Sequence, residues 1–102
     1  MILLYVTASS LKEARKISNA LLDKKLIACA NILKSDSIYR WKGKKVDEKE
    51  FIIHAKTTEK QFSEAEKLIK KIHSYEIPCI IKIPIKGNSE YLKWVRGELK
   101  NS

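Results

Sequence analysis

Cysteine is scarce in this chain. Cys29 and Cys79 are far apart, with no CxxC pair, which excludes a disulfide framework and a zinc-knuckle spacing. Two free thiols remain, of a type that is commonly buried. Proline and glycine number only two and three in 102 residues. With 44% hydrophobic residues, that argues against a disordered chain. There are no repeats, linkers or low-complexity tracts, so residues 1–102 are expected to form one domain. No apolar run is long enough to cross a bilayer, so membrane insertion is not expected. The opening "MILLYVTASS" lacks a basic n-region and reads as a strand rather than a signal peptide, which predicts a cytoplasmic location. GxSxG, P-loop and HExxH motifs are missing, as are the glycine–arginine loop of acylphosphatases and the MxCxxC loop of copper chaperones. No catalytic residue is assigned, and the chain is not expected to be an enzyme.

Positive charge is abundant: 21 Lys and Arg against 12 Asp and Glu give a net +9. Such a balance permits nucleic acid, anionic membranes or anionic small molecules as partners. It also fits adaptation to high temperature, and the charge is scattered rather than blocked. An RNA-binding sheet would need paired aromatics on its third strand. "FIIHAK" offers only Phe51 and His54, so nucleic acid is not the expected partner.

Periodicity divides the chain into seven elements. "ILLYVT" (2–7) has strand length and character. Ser10 opens a capping box with Glu13, and Leu11, Ala14, Ile17, Leu21 and Leu22 continue at helical spacing to about residue 25. "LIACANILKSDSIYRW" (26–41) is extended, with a bulge expected at "KSDS". A turn around Gly43 leads to a third strand at 50–58. Thr58 and Gln61 offer a second capping box for a helix over 59–72. "HSYEIP" is a loop, "CIIKIPIK" (79–86) a fourth strand, and Tyr91, Leu92, Val95 and Leu99 mark a final helix. This βαββαβα order predicts an α+β fold, a ferredoxin-like sandwich with spatial strand order 4-1-3-2 and an extra C-terminal helix. Pro84 fits an edge strand. The long β2–β3 hairpin overhangs its own sheet and needs cover, most simply from another subunit.

The densest chemistry lies in "HSYEIPCI", where His73, Tyr75, Glu76 and Cys79 fall within eight positions. His73 follows a helix C-terminus, where a capping role competes with a role as ligand or proton carrier. Cys29 and Cys79 belong to opposite sheet edges, so an intrachain Cys₂His₂ site is not expected, and a site shared between chains stays open. Trp41 and Trp94 are either packing anchors or, with Tyr39, Lys56 and Tyr75, the lining of an aromatic, basic cleft for a small anion.

"LIACANI", "SIYRWKGK", "AKTT", "HSYEIP" and "GNSEYLKW" occur in the order and spacing of the CutA family, the divalent-cation tolerance proteins, and the chain resembles that family over nearly its whole length. The resemblance implies a tight homotrimer with interlocking hairpins, similar in architecture to the PII signalling proteins, whose trimers bind small molecules between subunits. It implies tolerance of divalent ions, with copper or another divalent metal as the bound species. Cys29, His73, Glu76 and Cys79 are then the candidate metal ligands at subunit boundaries; Tyr39, Trp41, Lys56, Tyr75 and Trp94 are candidates for the cleft. Two departures from the family pattern stand out. Ser74 replaces a usual proline, which is expected to loosen the loop. Cys79 replaces a usual glutamate, exchanging a hard oxygen for a soft sulfur that favours Cu(I) or Zn²⁺.

Overall fold

A computed structural model describes residues 1–101. The elements are β1 (Ile2–Ala8), α1 (Leu11–Asp23), β2 (Cys29–Trp41), β3 (Lys44–Thr57), α2 (Glu59–Ile72), β4 (Ile80–Pro84) and α3 (Ser89–Glu98). The four strands form one antiparallel sheet in the order β2-β3-β1-β4. This is the ferredoxin-like order expected from the sequence, with Pro84 on an edge strand.

Alternation along the strands sorts side chains to two faces. Leu4, Val6, Ala8, Ile53 and Ala55 point to the helix-covered face, where Ala14, Ile17 and Leu21 of α1 and Ala65 and Ile69 of α2 close the core. A smaller cluster joins Val95 and Leu99, from α3 and its end, to Ala28 and Met1. The alternate residues face the other way, where α3 reaches the Cys29 end through its Tyr91 hydroxyl and leaves most of the face without a helix over it. Leu33 and Ile81 lie there 46% and 47% exposed.

The first capping box forms with a shift. Ser10 Oγ accepts from the Glu13 N–H at 3.0 Å, but the Glu13 carboxylate reaches back to the Ser9 N–H and hydroxyl at 3.0 and 2.8 Å. α1 ends two residues earlier than expected, in a Schellman motif: Leu26 N–H donates to Leu21 O and Lys25 N–H to Leu22 O, with Lys25 left-handed at φ 56°. The second capping box does not form. Thr58 makes no side-chain cap, the Gln61 N–H going to the Thr58 carbonyl at 3.0 Å, and the Gln61 carboxamide donates to Lys100 O at 2.8 Å, tying α2 to the C-terminal segment.

The hairpin differs most from expectation. β3 starts at Lys44 rather than residue 50, and "KSDS" carries no bulge: pairing runs unbroken from Cys29↔Lys56 to Trp41↔Lys44. Lys42 and Gly43, both at positive φ (49° and 79°), make the two-residue turn of the type that matches strand twist. β1 covers β3 only over residues 51–57. The rest of the hairpin projects as a bare two-stranded arm, roughly 20 Å long at about 3.4 Å per residue. This arm stretches the molecule to 44 × 26 × 21 Å. Across it, Lys49 pairs with Asp36 and the Tyr39 phenol donates to Glu48. Polar cross-strand pairs stand where a buried strand would carry apolar residues, and so "VDEKE" gave no strand signal.

Candidate functional site

The 73–79 loop is pinned residue by residue. His73 ends α2, and its side chain is completely buried. Its Nε2–H donates to Thr7 O at 2.7 Å and its Nδ1 accepts the Tyr75 N–H at 3.0 Å, a pair of bonds that only the Nε2–H tautomer satisfies. The Ser74 N–H donates to Glu13 Oε2 at 2.8 Å. A proline could not make that bond, so Ser74 tightens the loop where it was expected to loosen it. The Tyr75 ring packs on His73, centroids 4.7 Å apart, and its phenol donates to Glu50 Oε2 at 2.6 Å. Three consecutive residues thus tie the loop to β1, to the start of α1 and to β3.

Between this loop and the arm lies a cavity of about 670 Å³. Tyr5, Thr7 and Glu50 form its floor, Ser37, Ile38, Tyr39 and Trp41 its arm wall, and Ser74 to Ile77 with Cys79 its loop wall. Glu50, only 6% exposed, is a buried carboxylate of this lining that sequence reasoning missed. The available signal was strand alternation, which places it on the same face as Ile52 and His54. Burial and then the bond to Glu50 push the Tyr75 phenol well above its usual range, and the bond to Glu48 raises Tyr39 to about 12. Both tyrosines are therefore neutral donors already committed to carboxylates. Burial, followed by the Glu50 charge, raises the Cys79 thiol, which makes it a reluctant thiolate near neutrality. Glu76 is exposed at the rim, 3.7 Å from Lys42.

The remaining predicted residues gather elsewhere. Cys29 Sγ lies 3.1 Å from the Tyr91 hydroxyl, and Tyr91 packs on Trp94 with centroids 5.6 Å apart. The bond to Cys29 holds the Tyr91 phenol above its usual value. Lys56 pairs across the strands with Cys29 and donates to Asn31 Oδ1. Ten residues of β3 separate Lys56 from Val46, the partner of Tyr39, about 34 Å at strand spacing. The nine predicted residues therefore divide within one chain. Tyr39, Trp41, Tyr75, Glu76 and Cys79 line the cavity; Cys29, Lys56 and Trp94 form a separate cluster; His73 is interior to the loop.

The donor set does not make a metal centre within one chain. Cys29 and Cys79 lie at opposite sheet edges, three strand spacings or roughly 14 Å apart at least. Among the described residues no three His, Cys, Asp or Glu side chains come together to hold an ion, and both His73 nitrogens are already bonded. No described helix is long and apolar enough to cross a membrane.

Residues 2–98 match the family profile described as CutA1 divalent ion tolerance protein. The divalent-cation tolerance protein CutA of Archaeoglobus fulgidus is 44% identical over 93 residues, covering 90% of this chain and 91% of its own. The protein of the same name from Thermus thermophilus is 41% identical over 93 residues, covering 89% and 90%. The crystal structure of CutA1 from Pyrococcus horikoshii superimposes with a TM-score of 0.95 at 37% identity, over 99% of this chain and 100% of that one. A structure described as the periplasmic divalent cation tolerance protein CutA from Archaeoglobus fulgidus gives 0.93 at 42% identity, over 96% and 98%. Fold, strand order and sequence agree along almost the whole length, and the chain belongs to the CutA1 divalent ion tolerance family.

Proposed function

We propose that the chain, with residues 1–102 acting as one domain, forms a homotrimer in the cytoplasm. In this reading it holds copper or another divalent ion at subunit boundaries, as a binding protein rather than an enzyme. The observation that carries the reading is the pairing of a sheet face left largely bare by the helices with an arm that, beyond its contacts to the 73–79 loop at Glu50 and Lys42, stands away from its own chain. Both features ask for further copies of the chain, and large exposed apolar patches mark such contacts. Closed symmetry would bring the edges of different chains together, which is what donors split between opposite edges require.

Cys29, Glu76 and Cys79 are the donors open to an ion in this reading. His73 serves as the positioning residue of the loop, because ligation would break both of its ring bonds. Metal uptake requires deprotonated thiols, so the raised Cys79 thiol predicts tighter binding as pH rises above neutrality. Free, widely separated thiols suit a reducing compartment. The anionic version of a small-molecule sensor draws less support, since Lys56 lies far from the cavity within its own chain.

Native mass spectrometry with and without copper and zinc tests the proposal. A trimer taking up stoichiometric metal, with uptake reduced in Cys29→Ser, Glu76→Gln and Cys79→Ser, is expected. His73→Ala is expected to lower stability by about 2 kcal/mol for two buried hydrogen bonds while leaving uptake intact. A trimer that stays metal-free would remove the metal reading, and a monomer would remove the assembly.

A further inference from the structure

The cavity beside the 73–79 loop has the opposite polarity to the protein around it. No lysine or arginine lines it, in a chain where those residues outnumber acidic ones 21 to 12. Its charged lining groups are the carboxylates of Glu50 and Glu76, and Glu48 stands behind Tyr39 as the acceptor of its phenol. Three aromatic rings, Tyr39, Trp41 and Tyr75, complete the walls. Ring faces carry negative potential. The phenol protons of Tyr39 and Tyr75 are already given to Glu48 and Glu50.

The chain contains a small demonstration of what such walls attract. The Lys42 ammonium sits 5.7 Å from the centroid of the Trp41 ring and 3.7 Å from the Glu76 carboxylate. An ammonium thus already occupies an aromatic–carboxylate pair at the rim, while the deeper Tyr75–Glu50 pair offers the same chemistry with less competition from water.

We propose that this cavity binds a small organic monocation, an ammonium group on an apolar or aromatic body. Its volume of about 670 Å³ falls in the usual range for small-molecule sites, about 300–1,000 Å³. A hydrated metal ion gains little from aromatic walls and needs several converging donors, which the cavity lacks. The inference therefore goes beyond metal tolerance and does not depend on it.

Isothermal titration calorimetry on the full chain in its native assembly tests this, using benzyltrimethylammonium as probe against 3-phenylpropionate and 3-phenyl-1-propanol. The cation is expected to bind at least tenfold tighter than either comparison ligand. Trp41→Ala and Glu50→Gln should each weaken it tenfold or more. Glutamine at position 50 still offers an oxygen to the Tyr75 phenol, so that variant removes charge while keeping the loop's anchor. Lys42→Ala clears the chain's own ammonium from the rim and should bind the probe several-fold tighter. Metal uptake by Trp41→Ala should match the parent's, since Trp41 is not among the metal donors, so the two readings can fail separately. Equal binding of the carboxylate or the alcohol, cation binding that survives both cavity variants, or a Lys42→Ala protein no tighter than the parent would overturn the assignment. So would no binding at millimolar probe, which would give the cavity to a neighbouring subunit's side chains.

Discussion

Glu13 joins three parts of the chain through one carboxylate. It caps the start of α1 through Ser9, accepts the Ser74 N–H from the loop 61 positions away, and lies 3.8 Å from the His73 ring. Burial alone would raise its pKa, but the combined hydrogen bonds from Ser9 and Ser74 outweigh that and lower it to about 2. A folded-state pKa below the unfolded value stabilises at pH above about 4.5, and that contribution disappears as pH falls toward about 2. Glu13→Gln should therefore cost on the order of 2 kcal/mol at pH 7 and almost nothing at pH 2. Thermal melts of both proteins at fixed concentration would show this as two curves that converge in acid; parallel curves would sink the account. The S-x-x-E pattern announced half of this role, because capping is local. The Ser74 half was invisible, since nothing local signals which distant amide a carboxylate will meet. The same holds for Glu50 and Tyr75, partners across 25 positions.

α1 closes on Lys25, a non-glycine residue in the left-handed region at φ 56°. Its backbone is tied on both sides, N–H to Leu22 O and carbonyl to the Lys100 N–H, both at 3.0 Å. A side chain in that conformation costs roughly 1–2 kcal/mol, partly offset by the extra freedom glycine has when unfolded. Lys25→Gly should raise stability by roughly 0.5–1 kcal/mol, read as a higher denaturant midpoint at unchanged slope; a lower midpoint would show that the lysine side chain contributes more than its backbone costs. Elements buried on one face were legible in the sequence. The helical stripe from Ala14 to Leu21 and the apolar run "ILLYVT" marked α1 and β1, and the order of the elements carried the strand order. The outer half of β3 was not legible, because "VDEKE" faces no core in its own chain and so carries no period-2 apolar pattern.

At the scale of the whole molecule, the bare sheet face is the feature to test. Leu33 on β2 and Ile81 on β4 sit on it half-exposed while their alternates are buried or half-buried. Replacing both, Leu33→Glu with Ile81→Glu, should shift the protein toward single chains at micromolar concentration while secondary structure by circular dichroism stays unchanged. Sedimentation that shows the parent's mass would mean this face is not the contact. The arm has a consequence in time as well as in space. Besides each other, its strands and turn meet the 73–79 loop at Glu50 and Lys42, and a two-stranded hairpin with so little support is marginal in water. In the proposed assembly a single chain settles its helices and central strands alone, and the arm becomes firm on meeting other copies. The final folding step is then more than first order in protein concentration, slow when copies are few and fast when they are many. Because the cavity has the arm for one wall, its completion follows the same law: newly made chains acquire a finished pocket only as their own number rises.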